Sequence, residues 1–164
     1  MLSEFQIHTF SPVYNENSHI LILGTFPSVK SRENSFYYGH PQNRFWRVLA
    51  GLFNCELPNT IEEKTELLLS HNIALWDVIK SCEIAGSADS TIKSVVPNDI
   101  DIILNNSMVK EIYANGKTAE KLYNKYLKKK VKRDITALPS TSPANASFTL
   151  PKLISSWEII EKDV

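Results

Sequence analysis

The sequence is poor in cysteine and has no dense group of metal-ligating side chains. Only Cys55 and Cys82 occur in its 164 residues, far apart and without a companion cysteine or histidine cluster, and the four histidines are dispersed. Structural zinc and iron–sulfur sites need closely spaced ligands. We therefore predict no metal and no other cofactor, and we expect both cysteines to be reduced core residues.

Long apolar runs and an excess of charge of one sign are also missing. No apolar run approaches the roughly 18 residues of a membrane-spanning helix, and the polar start MLSEFQIHTF does not resemble a secretory signal. Eighteen Lys and Arg residues balance 18 Asp and Glu residues. A basic surface must therefore come from local clustering. We expect a cytoplasmic protein without a membrane segment, and a monomer.

Composition and apolar pattern predict the fold class. The chain is 43% hydrophobic and 22% charged, which fits one core and a single domain, 1–164. Strands are predicted at 20–23, 73–79, 110–116 and 134–140. The first is a continuous β-branched run, typical of a strand buried on both faces of a parallel sheet. Because helices alternate with the strands, we predict a three-layer α/β/α sandwich around a central, largely parallel four-stranded sheet.

Capping residues and apolar stripes predict the helices between those strands. Helices are expected after Asn43, after Thr60, near Asp99 to Leu104, after Gly116 and from Leu150 to Ile160. Asn43 is a candidate N-cap for a helix of about three turns, and Thr60 with Glu63 forms a capping-box pair. The segment from Lys80 to Pro97 has no clear period, so we predict a long and functional loop there.

Ligands of such folds bind beyond the carboxyl ends of the strands, which directs attention to two loops. The first, GTFPSVKSRENSFYYGHPQN taken together with the start of the helix after it, combines cations such as Lys30 and Arg44 with the rings of Tyr37 and Tyr38. Cations for phosphates and rings for bases are the ingredients of nucleic-acid contact. The structural alternative is that Asn43 only caps its helix. Lys30 and Arg44 are our candidate DNA contacts in this loop, and Tyr38 is a candidate pocket wall.

The second loop, LPSTSPANA, follows the fourth strand. It places Ser140, Thr141 and Ser142 before Pro143. Hydroxyl and backbone N–H groups suit phosphate binding, and a short rigid loop can press into a duplex. Loops rich in serine and proline are also common connectors, so the prediction that these four residues contact DNA depends on the first loop.

Four segments taken together, LILGTFPS, FYYGHPQNRFW, LWDVIKSCEIAGSADSTI and LPSTSPANA, resemble the uracil-DNA glycosylase superfamily. More narrowly, they resemble its deoxyinosine (hypoxanthine-DNA) glycosylase branch, from about His19 to Ala146. The resemblance implies a monofunctional DNA glycosylase that flips a nucleotide out of DNA and hydrolyses its N-glycosidic bond with water. The implied partner is DNA with a deaminated base, with hypoxanthine as the first expected substrate and uracil and xanthine as further ones, and the implied process is base excision repair.

The resemblance also implies which residues form the site. The base pocket would comprise Gly24, Thr25, Phe26, Pro27, Tyr38, Asp77 and Asp89. Tyr38 would stack on the flipped base. Many members carry Asn or Asp two residues after the glycine of the first motif, whereas this chain has Phe26, which cannot orient water. The implied catalytic residue is therefore Asn43, which would hold a water against C1′.

Two other interpretations remain open at this point. A non-catalytic nucleic-acid-binding domain would keep the basic, aromatic loop after losing the polar group at Phe26. A hydrolase or transferase of free nucleosides would leave the LPSTSP loop and its neighbouring cations without DNA to hold.

Overall fold

The computed structural model describes residues 2–164, which form seven strands in two sheets. In chain order the strands are β1 (Glu4–Ile7), β2 (Ile20–Gly24), β3 (Ile73–Asp77), β4 (Ile79–Ala85), β5 (Ala88–Pro97), β6 (Glu111–Asn115) and β7 (Thr136–Leu138). The larger sheet is parallel throughout, with the order β3-β2-β6-β7. The smaller sheet is antiparallel, with the order β1-β4-β5.

Helices lie on both sides of the parallel sheet. In chain order they are α1 (Val29–Asn34), α2 (Phe45–Leu52), α3 (Ile61–Ser70), α4 (Asp101–Leu104), α5 (Lys117–Tyr126), α6 (Lys128–Val131) and α7 (Leu150–Trp157), followed by a 3-10 turn over Glu158–Asp163. This arrangement confirms the predicted three-layer α/β fold. None of the helices found in residues 2–164 is both long and apolar enough to cross a bilayer.

Burial of β2 and β3 explains why the parallel sheet forms at the centre. All five residues of each strand are buried, and their β-branched and leucine side chains remove apolar surface from water on both faces of the sheet. On one side, α2 buries Phe45 against Trp157 of α7, with ring centroids 5.8 Å apart. The start of α2 is therefore anchored in the core.

The capping predictions are confirmed for α3 and shifted by one residue for α2. Thr60 and Glu63 form the full capping box. Arg44 occupies the cap position of α2, without a capping side-chain bond. The side chain of Asn43 instead accepts a hydrogen bond from the N–H of Phe45, at 3.0 Å. Asn43 thus satisfies one of the free N–H groups at the helix start from just outside the helix.

The prediction of a loop from Lys80 to Pro97 is wrong. This segment forms the β4–β5 hairpin, which turns at Gly86 with φ 60°, and β1 pairs with the other edge of β4. Register shifts along β4 and β5 and many exposed positions on β5 remove the alternation by which a strand is recognised. The expectation for the cysteines holds for Cys82, which is buried, but Cys55 is exposed.

Candidate active site

A cavity of 330 Å³ opens at the carboxyl edge of the parallel sheet. Gly24, Asp77 and Asn115, the last residues of β2, β3 and β6, meet there with the loop that follows β7. Most of the predicted site residues line this cavity: Gly24, Thr25, Phe26, Pro27, Tyr38, Asn43, Asp77, Asp89, Ser140, Thr141, Ser142 and Pro143. Lys30 and Arg44 do not line it. The sheet-edge rule therefore locates the cavity correctly.

The Asn43 amide is fixed by two donors to its oxygen. Oδ1 accepts from the N–H of Phe45 at 3.0 Å and from the hydroxyl of Thr141 at 2.8 Å. A backbone N–H can only donate, so the atom that faces it must be the oxygen. Asn43 lines the cavity, and within the described chain its Nδ2 makes no hydrogen bond. The amide therefore keeps its two N–H donors for a molecule in the cavity.

Thr141 connects Asn43 to the end of β6. Its hydroxyl donates to Asn43 and accepts from Nδ2 of Asn115 at 3.0 Å, while its backbone N–H donates to Oδ1 of Asn115 at 3.0 Å. Thr141 is fully buried. The hydroxyl of Thr141 is thus used inside the protein to hold Asn43, and the DNA contact predicted for Thr141 stays a prediction.

Arg44 also bonds to the loop after β7. Its guanidinium donates to carbonyl oxygens of the loop after β7: Nε to Thr141 at 3.4 Å, Nη2 to Ser142 at 2.9 Å and to Asn145 at 3.1 Å, and Nη1 to Phe148. These bonds hold the loop against the start of α2. The guanidinium thus has a structural role in this loop, and the phosphate contact predicted for Arg44 stays a prediction.

Two of the residues predicted to contact DNA, Lys30 and Pro143, are exposed near the cavity. Lys30, at the start of α1, is exposed, and its Nζ lies 3.4 Å from the carboxylate of exposed Glu33. Such a surface pair contributes little and yields readily to a phosphate. Pro143 is exposed beyond Ser142, at the tip of the clamped loop. The tip is thus free to approach a duplex while its base is held in place.

Tyr38 forms one wall and part of the floor of the cavity. One face of its ring stacks on Phe45, with centroids 4.2 Å apart and planes at 23°. Its hydroxyl is buried and has no hydrogen-bond partner among residues 2–164. Burial, followed by the charge of Asp77, raises the pKa of Tyr38 well above its ordinary value, so the phenol stays neutral. A Cβ at Gly24 would lie 2.8 Å from this hydroxyl, so the fit requires glycine.

Two carboxylates belong to the cavity wall, in different settings. Asp77 is buried, and its Oδ2 accepts a hydrogen bond from Nε2 of His8 at 2.8 Å. Asp89 lies on exposed β5. Desolvation, followed by the charge of Asp77, raises the pKa of Asp89 to about 6.

Sequence reasoning missed two residues that complete the site. Asn115 ends β6, so the rule that ligands sit at the carboxyl edge would have found it. His8 follows β1 of the smaller sheet, and its contact with Asp77 spans 69 positions. No local pattern signals such a contact.

Comparison with known proteins identifies the family and agrees with the fold. Residues 11–161 match the family model described as the uracil DNA glycosylase superfamily. The chain is 37% identical over 155 residues to the hypoxanthine DNA glycosylase of Methanosarcina acetivorans, covering 92% of this chain and 95% of that protein. It is also 37% identical over 110 residues to the hypoxanthine DNA glycosylase of Methanosarcina barkeri strain Fusaro, covering 66% of this chain and 70% of that protein.

A solved structure extends the agreement to three dimensions. The solution NMR structure of a candidate uracil DNA glycosylase from Methanosarcina acetivorans superposes with a TM-score of 0.78 at 31% identity, covering 96% of this chain and 99% of that one. The family match covers more than half of the chain and includes every strand of the parallel sheet. The chain therefore belongs to the uracil DNA glycosylase superfamily.

Proposed function

We propose that this protein is a monofunctional DNA glycosylase that removes deaminated bases. Hypoxanthine is the first substrate to test, and uracil and xanthine are the next two. The observation that carries the proposal is the Asn43 amide, whose oxygen is fixed by Phe45 and Thr141 while its N–H groups are left to the cavity. Relatives named hypoxanthine DNA glycosylase, at 37% identity, support the choice of substrate.

Asn43 acts by positioning water. Both hydrogen bonds to its oxygen come from the protein, so the amide offers donors and not a base. An N–H of Asn43 donates to one lone pair of a water and leaves the other directed at C1′ of the flipped nucleotide. The gain is one of orientation, since a well-placed reactant removes much of the entropic barrier. Phe26 lines the same cavity and offers no polar group for this task.

The electrostatics of the site favour a positively charged sugar. Loss of the base leaves an oxocarbenium-like centre, which nearby negative charge stabilises. Asp77 and Asp89 line the cavity, and the phosphates of the DNA add their own charge. No covalent intermediate is needed in this scheme: the bond from C1′ to the base breaks, water forms the new bond, and the released proton passes to solvent or to the departing base.

The DNA contacts follow from the exposed groups around the cavity. One face of Tyr38 is covered by Phe45, which leaves the other for a flipped base. Pro143 at the loop tip enters the space that the extruded nucleotide leaves, and Lys30 contacts a phosphate. The remaining expectations, a monomer that works in the cytoplasm, stay predictions.

The test is a base-release assay on duplexes that carry one deoxyinosine, deoxyuridine or deoxyxanthosine. The wild type should leave abasic sites that alkali converts to strand breaks. Asn43→Ala should lose about 10²-fold or more of the single-turnover rate, with DNA affinity retained. Asn124→Ala, on the exposed surface of α5, is the matched control and should behave as wild type.

Other outcomes identify the alternatives. Tight binding of lesion DNA without base release from any of these substrates would support a non-catalytic nucleic-acid-binding domain and contradict the proposed activity. Strong competition by free inosine against the inosine-containing duplex would indicate a nucleoside hydrolase.

A further inference from the structure

The basic charge of the chain is concentrated in one segment. Residues 117–133, which comprise α5, α6 and the residues directly after α6, contain eight Lys and Arg residues and one Glu, a net charge of +7. Because 18 cations balance 18 acids over the whole chain, all the other residues together carry a net charge of −7. The phosphate backbone of DNA is attracted by this segment and repelled by the remainder of the chain.

The candidate active site contributes little to this attraction. Among residues 2–164, those that line the cavity include no Lys or Arg, whereas they do include Asp77 and Asp89. Beside the cavity, the guanidinium of Arg44 donates to carbonyl oxygens of the loop after β7. Affinity for undamaged DNA is almost entirely electrostatic. The cations that supply most of that affinity are therefore expected elsewhere on the surface.

Four lysines form a ridge along α5 and α6. They follow one another at intervals of four residues, so neighbouring members lie one helical turn apart. All four are exposed, whereas Tyr123 on the opposite side of α5 is fully buried. The members of this basic ridge are Lys117, Lys121 and Lys125 on α5 and Lys129 on α6.

The ridge lysines have no acidic partners. None of the four forms an ion pair with any residue in the described part of the chain, 2–164. Their neighbours differ, because Lys128 pairs with Asp134 and Lys130 with Asp99. Like charges four positions apart destabilise a helix, so the ridge does not serve the stability of α5. The rival interpretation is a solvated face that contributes only to solubility.

The ridge leads away from the cavity. Strands β6 and β7 are parallel, so α5 and α6 carry the chain from the carboxyl edge of the sheet back to its amino edge. The ridge begins at Lys117, two residues after Asn115 of the cavity. From Lys117 to Lys125 it extends about 12 Å along the helix axis, a length over which a duplex carries about seven phosphates.

We propose that the basic ridge binds the phosphate backbone of a second DNA segment while the cavity face holds the segment with the lesion. DNA is stiff over about 150 base pairs, so a duplex that lies across the carboxyl edge does not turn to follow α5. The role of the cavity face rests on the proposed function, whereas binding at the ridge needs no base release. The ridge contacts phosphates and not base edges, so undamaged duplex is a sufficient ligand.

Two DNA sites on one chain would help the protein to search for lesions. When one segment is bound, a second segment can be engaged before the first is released, because the next contact is made at a high local concentration. The protein would thus move between segments of a long DNA without returning to bulk solution.

The salt dependence of binding to undamaged duplex tests the ridge. The ridge variant combines Lys→Gln substitutions at all four ridge positions, and glutamine has nearly the helix propensity of lysine. Each lost phosphate contact should make the slope of log affinity against log salt less negative by about 0.9, a total of about 3 to 4. Between about 50 and 200 mM salt, the wild type should therefore lose about 10²-fold more affinity than the variant.

The control variant has the same change in net charge at other places. It combines Lys→Gln substitutions at four exposed lysines outside the segment 117–133, and it should keep the wild-type slope. These lysines are Lys80, Lys93, Lys152 and Lys162. Melting curves establish that both variants are folded.

A second measurement detects two duplexes on one protein. A donor-labelled duplex with deoxyinosine and an acceptor-labelled undamaged duplex are mixed with the protein, and energy transfer reports that both are held together. We expect energy transfer with the wild type and the control variant and none with the ridge variant. Single-turnover base release from a short lesion duplex at saturating protein should be the same for all three, because the ridge does not contact the reacting atoms.

The outcomes separate the proposal from its rivals. A folded ridge variant that keeps the wild-type slope, or that still joins two duplexes, would overturn it. A control variant that loses the same slope would also overturn it, since net charge alone would then explain the effect. Binding of poly-glutamate at the ridge without binding of a second duplex would identify an acidic protein as the partner instead. If two duplexes are joined through the ridge but no lesion base is released, the proposed function fails and this assignment stands.

Discussion

Replacing Thr141 with valine tests the central hydrogen-bond network of the site. Valine matches threonine in shape and removes only the hydroxyl, which donates to Asn43 and accepts from Asn115. Each of these bonds contributes about 0.5–1.5 kcal/mol net, and a buried amide N–H without a partner costs about 1–3 kcal/mol. The free energy of unfolding should therefore fall by about 2–3 kcal/mol, an amount that urea denaturation resolves.

The effect on activity should exceed what the lost stability explains. Without Thr141, the Asn43 oxygen keeps only the N–H of Phe45, so the amide can turn away from the water. We expect the single-turnover rate of base release to fall about 10–100-fold at a temperature where the variant is fully folded. Because Thr141 is fully buried, the affinity for DNA and its salt dependence should not change.

Thr141→Ser, which retains the hydroxyl, should restore the rate and most of the stability. A valine variant that releases bases at the wild-type rate would refute the positioning of Asn43 by this network. A weaker salt dependence of DNA binding in the valine variant would instead support the predicted contact of Thr141 with a phosphate.

Three further substitutions probe other parts of the site. Arg44→Met should lower the free energy of unfolding by at least about 3 kcal/mol and expose the loop after β7 to limited proteolysis, with no change in the salt dependence of DNA binding. The control is Arg47→Met, which removes side-chain hydrogen bonds of 3.3 and 3.5 Å. It should change neither the free energy of unfolding nor the proteolysis of that loop. Gly24→Ala should reduce the rate of base release by about 10²-fold, because the new methyl group lies 2.4 Å from Oδ1 of Asp77. An unchanged rate of base release would show that the side chains of the cavity floor move aside without affecting the reaction. Folding raises the pKa of Asp89 from 3.8 to about 6, so between about pH 4 and 6 the folded state binds more protons than the unfolded state, and the free energy of unfolding should fall as pH increases. Asp89→Asn should flatten that pH dependence in urea titrations. An identical slope in the variant would contradict the raised pKa of Asp89.

The parallel sheet could be predicted because its signals are local. The continuous apolar runs of β2 and β3 and the capping box of α3 each lie within a few residues. Once strands and helices alternate, the carboxyl-edge rule brings distant loops together. It does so here for Gly24 and Asp77, which pair in the β2–β3 register.

The smaller sheet and the role of the Arg44 side chain could not be predicted in this way. The strands β1, β4 and β5 are partly exposed and irregular, and they are stabilised by pairing across the chain. Arg44 lies among cations and rings, where a phosphate contact is the natural expectation, but only packing shows that loop carbonyls occupy its guanidinium. The type of a residue indicates what its side chain can bind, but it does not indicate which of the possible partners lies within contact distance in the folded protein.

The contacts that hold Asn43 have a consequence for the order in which the protein folds. The bonds from Asn43 and Arg44 to the loop after β7 join residues 97 to 104 positions apart. Closing so long a segment of chain costs conformational entropy that local contacts do not offset, so these bonds form late in folding. During synthesis, the Asn43 amide gains its full set of partners only after the loop following β7 has left the ribosome. A growing chain that already contains the whole parallel sheet therefore still lacks a finished site.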